Sequence, residues 1–144
     1  MVRSVSGRSA PARIPAEPSL YDAPATGEQA LPALRGRRCT ACGHVFFPPQ
    51  DYGCEACGAA GDRLAPRDLP GRGALVASAR VHQHPLAPFT VGTVLLDAGP
   101  AVTALIDAPP AGLAPGARVR ARLVRSDERD GCEVMELRFA AEES

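Results

Sequence analysis

Four of the five cysteines fall in two copies of one motif, Cys39-Thr40-Ala41-Cys42-Gly43 and Cys54-Glu55-Ala56-Cys57-Gly58, with eleven residues between Cys42 and Cys54. A thiolate pair on each of two tight turns, joined by a short loop, is the spacing of a tetrahedral metal site. A glycine after each second cysteine suits such a turn, because it accepts backbone angles that aim peptide N–H groups at sulfur. The competing readings are two disulfides or four buried thiols. The duplicated spacing favours metal, and a closed four-cysteine set favours one structural zinc over iron. Such a site leaves the ion no open position for a substrate.

Little else in the chain offers catalytic chemistry. His82 and His84 are two residues apart at a strand end and face one side, where solvent-facing or hydrogen-bonded histidines are the ordinary case. Asp97 and Asp107 close strands, as turn-forming carboxylates do. Cys132 reads as a small apolar group. No nucleophile–base pair stands out.

The elements that must position the cysteines follow in order. Residues 1–30 are rich in Pro, Ala, Ser and Arg and are expected to be disordered or loosely docked. Arg3, Arg8 and Arg13 without an acid faintly suggest an organelle transit peptide, but Pro11, Pro15 and Pro18 break any amphipathic helix. Gln29 to Leu34 is expected to make one helical turn. Between the knuckles, Phe46 and Phe47 are the bulky groups to cover a metal, and Pro48 and Pro49 stiffen the loop. Leu64 to Pro70 reads as a connector.

From Gly73 the pattern is strands and turns. The expected strands are Ala74–His82, Phe89–Leu96 with a bend or bulge at Gly92, Val102–Ile106, Ala117–Val124 and Glu133–Phe139. A long loop fills Ala108–Gly116, and Asp127–Gly131 makes a hairpin turn. Val119, Ala121 and Leu123 alternate with Arg118, Arg120 and Arg122. Met135, Leu137 and Phe139 alternate with Glu136 and Arg138. Five short strands without helical periodicity predict a small, partly open barrel. The fold class is therefore mainly β: a rubredoxin-like zinc ribbon over residues 31–68, then a five-stranded OB-fold barrel over 69–144.

Charge and hydropathy narrow the function. Sixteen basic residues, all arginine, balance sixteen acidic ones. Zero net charge argues against a protein whose task is to neutralise nucleic-acid phosphates. The barrel is also short of aromatic platforms for base stacking, with only Phe89 and Phe139 on its strands. The arginine stripe is the best support for a nucleic-acid reading; its alternative is a solvated face paired with Glu136. No apolar run approaches membrane-spanning length, and cysteines paired for metal fit a reducing cytoplasm.

The order of parts resembles one family. Cys39, Cys42, Gly43, Phe47, Pro48, Pro49, Cys54, Cys57 and Gly58 carry the ribbon; Gly71, Gly73, Val76, Pro88, Val91, Val94–Asp97, Gly116 and Val119 carry the barrel. From about Leu31 to Phe139 the chain is similar to the zinc-ribbon/OB-fold proteins long catalogued as a domain of unknown function and called acyl-CoA-associated. Where members carry an aromatic-rich helix before the first knuckle, this chain has a Pro/Ala segment containing Tyr21.

The resemblance implies a non-catalytic accessory subunit. Its partner would be a thiolase-like acyltransferase, or an aldolase acting on steroid side-chain acyl-CoA, in a two-plus-two hetero-oligomer. A nucleic-acid-binding protein and a partner of a hot-dog-fold hydratase are the alternatives. The resemblance also implies a shared acyl-CoA site, where Arg118, Arg120 and Arg122 would meet CoA phosphates. Phe47, Leu86, Phe89 and Leu113 are expected to have few internal neighbours and to face the partner. Replacing Cys54 with serine is expected to unfold the ribbon and spare much of the barrel.

Overall fold

The computed structural model describes residues 12–23, 31–109 and 111–142. These form two sheets and no α-helix. Accordingly no described helix is long and apolar enough to cross a membrane. The smaller sheet holds the ribbon: β2 (Ala33–Cys39) lies between β3 (Val45–Phe46) and β4 (Leu64–Pro70). The larger contains β1 (Arg13–Pro15), β5 (Arg72–Val81), β6 (Phe89–Leu96), β7 (Ala101–Asp107), β8 (Arg118–Arg129) and β9 (Cys132–Ala141). Its order is β1-β9-β7-β6-β5-β8, and β8 also pairs with β9. That last pairing closes β5–β9 into a five-stranded barrel of OB type, with β9 parallel to β7.

Side-chain alternation explains the barrel. Val119 and Ala121 of β8 point inward and are buried, while Arg118 and Arg122 are exposed. On β9 the ladder shifts between Val134 and Met135, so these consecutive residues are both buried. Phe139 is fully buried opposite Ala121. At the hairpin tip, Asp130 and Gly131 have φ of 53° and 79°. The turn is thus tighter than the Asp127–Gly131 span expected, and β8 runs on to Arg129.

Four expectations are corrected. Leu34 is not in a helical turn but in strand β2, while Gln29 and Ala30 lie outside the described residues. Leu64–Pro70 is not a connector: it pairs with β2 residue for residue, from Cys39 opposite Leu64 to Ala33 opposite Pro70. The bulge is not at Gly92, which pairs regularly with Ser78 and Ala104, but between Leu75 and Ala77. Gly92 is glycine for lack of room, since a Cβ there would sit 2.9 Å from Ile106 Cγ1 and 3.0 Å from the Ala77 carbonyl.

The fourth correction concerns residues 12–23, which are docked rather than loose. β1 runs parallel to β9, with Ile14 opposite Val134. Tyr21 is 2% exposed, bridges to Leu34, and donates its hydroxyl to the Met135 carbonyl at 2.9 Å. Arg35 donates to the Pro18 carbonyl and pairs with Asp22. This strap joins the ribbon strand β2 to the barrel strand β9.

One core serves both modules. Leu34 and Leu69, from ribbon strands, pack in the same buried cluster as Leu75, Val94, Leu96, Val119 and Phe139. A second, smaller cluster of Cys39, Cys54, Phe46 and Leu64 lies around the knuckles.

Candidate metal centre and barrel cleft

The two knuckles are the same local structure made twice. Gly43 N–H donates to the Cys39 carbonyl at 2.7 Å, and Gly58 N–H to the Cys54 carbonyl at 2.8 Å. Cys39 N–H reaches the His44 carbonyl at 2.8 Å, as Cys54 N–H reaches that of Ala59 at 2.7 Å. Closing such a turn takes the backbone through the left-handed region, at φ of 85° for Gly43 and 81° for Gly58, where a side chain would strain it. Strands β2 and β3 support the first knuckle, and a 3-10 turn, Gly61–Arg63, leads from the second into β4.

All four sulfurs of Cys39, Cys42, Cys54 and Cys57 lie within 4.8 Å of one another. Cys39 and Cys57 Sγ are 3.7 Å apart, and Cys42 and Cys54 Sγ 3.6 Å. Those separations exclude disulfide bonds. They match the roughly 3.8 Å edge of a sulfur tetrahedron around an ion at about 2.3 Å.

The electrostatics ask for a cation. Burial pushes the Cys39 thiol up, but N–H groups of Cys42 and Ala41 and the Cys57 thiol outweigh it, and the pKa falls to about 7. Cys54 is lowered in the same manner: burial raises it, while the Cys57 and Ala56 N–H groups and the Cys42 thiol bring it down. Ala56 N–H lies 3.3 Å from Cys54 Sγ. Cys42 gains from the His44 N–H, yet burial and its three sulfur neighbours push it up to about 12. Four clustered thiols cannot all ionise beside one another without positive charge between them. A divalent ion relieves that conflict, so the donor set fits one structural zinc.

Phe46 shields the site and is buried with Cys39 and Cys54. His44 stacks on Phe46 at a ring distance of 6.0 Å and hydrogen-bonds Glu55 at 3.0 Å, tying one knuckle to the other. Arg37 donates to the Leu64 carbonyl at 2.8 Å and pairs with Asp51 at 3.0 Å. The sequence reading did not single out these cross-loop pairs, since nothing local in the sequence marks them.

Elsewhere the expected site residues separate. Arg118 holds Asp97 through two bonds of 2.9 and 2.6 Å, which lowers the Asp97 pKa and raises that of Arg118. Arg122 lies 3.6 Å from Asp107. Arg120 stands between them on β8, opposite Ala140. Arg118 and Arg122 therefore meet Asp97 and Asp107 rather than Glu136, which bonds Arg138 at 2.7 Å.

Phe47 and Leu113 do have internal neighbours, because both pack against the barrel core. His82 and His84 are exposed beyond the end of β5, and Cys132 is half-buried at the start of β9. Leu86 and Phe89 line a cleft of about 680 Å³ together with Arg80, Pro88, Ile106 and Arg138. Arg80 and Ile106 escaped the sequence reading because they sit inside apolar strand runs.

Comparison with known proteins decides the family. Residues 30–63 match the model for "ChsH2, rubredoxin-like zinc ribbon domain", and residues 66–124 match "ChsH2, C-terminal OB-fold domain". Together they span well over half of the chain. The chain belongs to the ChsH2 zinc-ribbon/OB-fold family. A solved structure described as "Ltp2-ChsH2(DUF35) aldolase" contains a chain similar to this ChsH2-type protein, 22% identical, with a TM-score of 0.58. The likeness covers 74% of this chain and 84% of that one, and at such identity it speaks for the fold.

Proposed function

We propose that this ChsH2-type chain is a non-catalytic accessory subunit. It binds a thiolase-like acyltransferase or aldolase and helps to form the partner's acyl-CoA site, in steroid side-chain or other acyl-CoA metabolism of the cytoplasm. The observation that carries this reading is the tandem ChsH2 match, ribbon then OB-fold, in one chain. The similar solved structure bears the names of ChsH2 and Ltp2 together and is called an aldolase; the same kind of assembly is proposed here.

The site chemistry supports it. Four thiolates saturate a tetrahedral ion, so the zinc would hold the ribbon together and leave no position for a substrate. The arginine stripe contributes at most a shared site: a CoA phosphate would have to compete with Asp97 for Arg118 and with Asp107 for Arg122. The same pairing weakens the case for nucleic acid, because Arg118 and Arg122 are already matched with carboxylates and would release few counterions.

Co-expression with a thiolase-like protein tests the proposal. Size exclusion should give one peak containing both chains, two of each, with acyl-CoA turnover that the pure chain lacks. Separate peaks, capture of a hot-dog hydratase instead, or turnover by the pure chain would overturn it.

A further inference from the structure

β5, β6 and β7 run antiparallel, and the residues that alternate with their core positions share one outer face. Two rows cross it in register: Leu95 stands between Ala74 and Ala101, and Thr93 between Ala77 and Thr103. A third row places Val91 between Ala79 and Leu105. The bulge adds Val76, the extra residue between Leu75 and Ala77. None of these positions holds a charge, and the two threonines carry the only polar side chains.

An antiparallel sheet with one face in water normally turns polar residues to it. β8 and β9 do so, with Arg118, Arg122, Glu136 and Arg138 outside. The β5–β7 face does not: Val76 is 51% and Leu95 48% exposed, and Ala77, Ala79 and Ala101 are exposed beside them. Three strands about 4.8 Å apart, with rows spread over about 20 Å, make a face of roughly 300 Å². Apolar patches of that size on a monomer are often functional. Whatever covers this one must itself be uncharged there, since a charge pressed against it would lose its water and find no partner.

We propose that the outer face of β5–β7 is an interface between two copies of this chain. Two-fold packing sets a patch against itself. The uncharged face meets its copy with no like-charge conflict, whereas the side bearing Arg118 and Arg122 would set arginine on arginine. The relief fits as well. Leu95 and Val76 rise beside alanines, so each copy can lay its Leu95 on the other's Ala77 and Ala79, as facing sheets interdigitate. The two faces together supply roughly 600 Å², short of the ~1,200 Å² at the low end of stable interfaces. The dimer is therefore weak and concentration-dependent. It requires no other protein, and it would place in contact the two copies in the assembly proposed above.

Sedimentation velocity of the full zinc-loaded chain, over about two decades of concentration, tests it. The wild type should pass from monomer to dimer, and added salt should not disperse the dimer, because no ion pair holds it. Leu95→Arg puts a charge at the centre of the face without touching the core, and should raise the dissociation constant about tenfold or more. Leu95→Ala removes the protruding side chain alone and should raise it by a smaller factor. Amide shifts that change with concentration should cluster at Val76, Thr93, Leu95 and Thr103. A dimer that Leu95→Arg disperses supports the proposal whether or not a thiolase-like partner assembles. A monomer at every concentration, or a dimer indifferent to Leu95→Arg and Leu95→Ala, would overturn it. A monomer whose assembly with a thiolase-like protein fails in Leu95→Arg would overturn it in favour of that protein as the occupant.

Discussion

At the scale of single residues, the chain's most informative side chains differ in how far their sequence signal reaches. The four cysteines announce themselves because a metal fixes ligand type and spacing within a few residues. Tyr21 does not. It is the lone aromatic of a Pro/Ala-rich leader, yet it is 2% exposed and ties β9 to β2. Burial raises its pKa above the ordinary 10.0, against the lowering by nearby backbone groups. A raised folded value means that the folded state holds the phenolic proton more tightly, so this stability is complete below pH 10. It is lost as pH climbs from there through the folded value. Tyr21→Phe keeps the ring and removes the hydroxyl. Because the Met135 carbonyl also accepts from Ala16 N–H at 2.8 Å, it is not orphaned. The expected cost near neutrality is about 1 kcal/mol or less by urea denaturation. Above pH 10 the variant should lose stability less steeply than the wild type. Parallel alkaline limbs would show that Tyr21 ionises without unfolding the strap.

At the scale of elements, what could be read from sequence depended on how local each element's cause was. β8 and β9 are legible because apolar and charged residues alternate along them, and β6 and β7 because short β-rich runs stand between turn signals. β4 reads as a connector because Pro66 and Pro70 flank Arg67 and Asp68, a composition typical of loops. Its place in the sheet explains why it is a strand nonetheless: it lies at the edge of β3-β2-β4, where missing donors are tolerated. β1 has three residues and a parallel partner near the other end of the chain, so no local pattern could reveal it. The entry into the barrel is fixed by close approach. A Cβ on Gly73 would strike the Leu95 carbonyl oxygen and lie 2.9 Å from both Leu95 C and Leu96 Cα. These are backbone atoms of a paired strand, which cannot rotate away. Gly73→Ala is therefore expected to cost about 1–3 kcal/mol, as overpacking does, and to loosen β5–β6 pairing. Amide exchange should be faster at Leu95 and Leu96 in the variant. Unchanged protection and stability would mean that the strands can separate without penalty.

At the scale of the whole molecule, the ribbon and the barrel are joined more closely than their sequence signatures suggest. Read as modules, they predict that a broken zinc site leaves the barrel folded. The shared core argues against that expectation: Leu34 and Leu69, both fully buried, belong to ribbon strands and pack against Leu75, Val119 and Phe139 of the barrel. The strap adds a second tie, through Tyr21 to β2 and β9. Magnitudes then decide the outcome. Structural zinc supplies about 10–16 kcal/mol in small fingers near pH 7, whereas a whole domain is stable by about 5–15 kcal/mol. A ribbon this small has little core of its own beyond Phe46 and Leu64. Loss of the ion should therefore remove the ribbon, and with it two leucines from the barrel's centre, at about 2–5 kcal/mol for each such deletion. We expect zinc-loaded protein to contain one zinc per chain and to melt in a single calorimetric transition. Chelation, or Cys54→Ser, should lower that transition as a whole, with amides of Val119 and Phe139 losing protection together with those of the ribbon. Two separate transitions, with Val119 and Phe139 still protected after the zinc is removed, would show that the barrel folds without its neighbour and that the common core is dispensable.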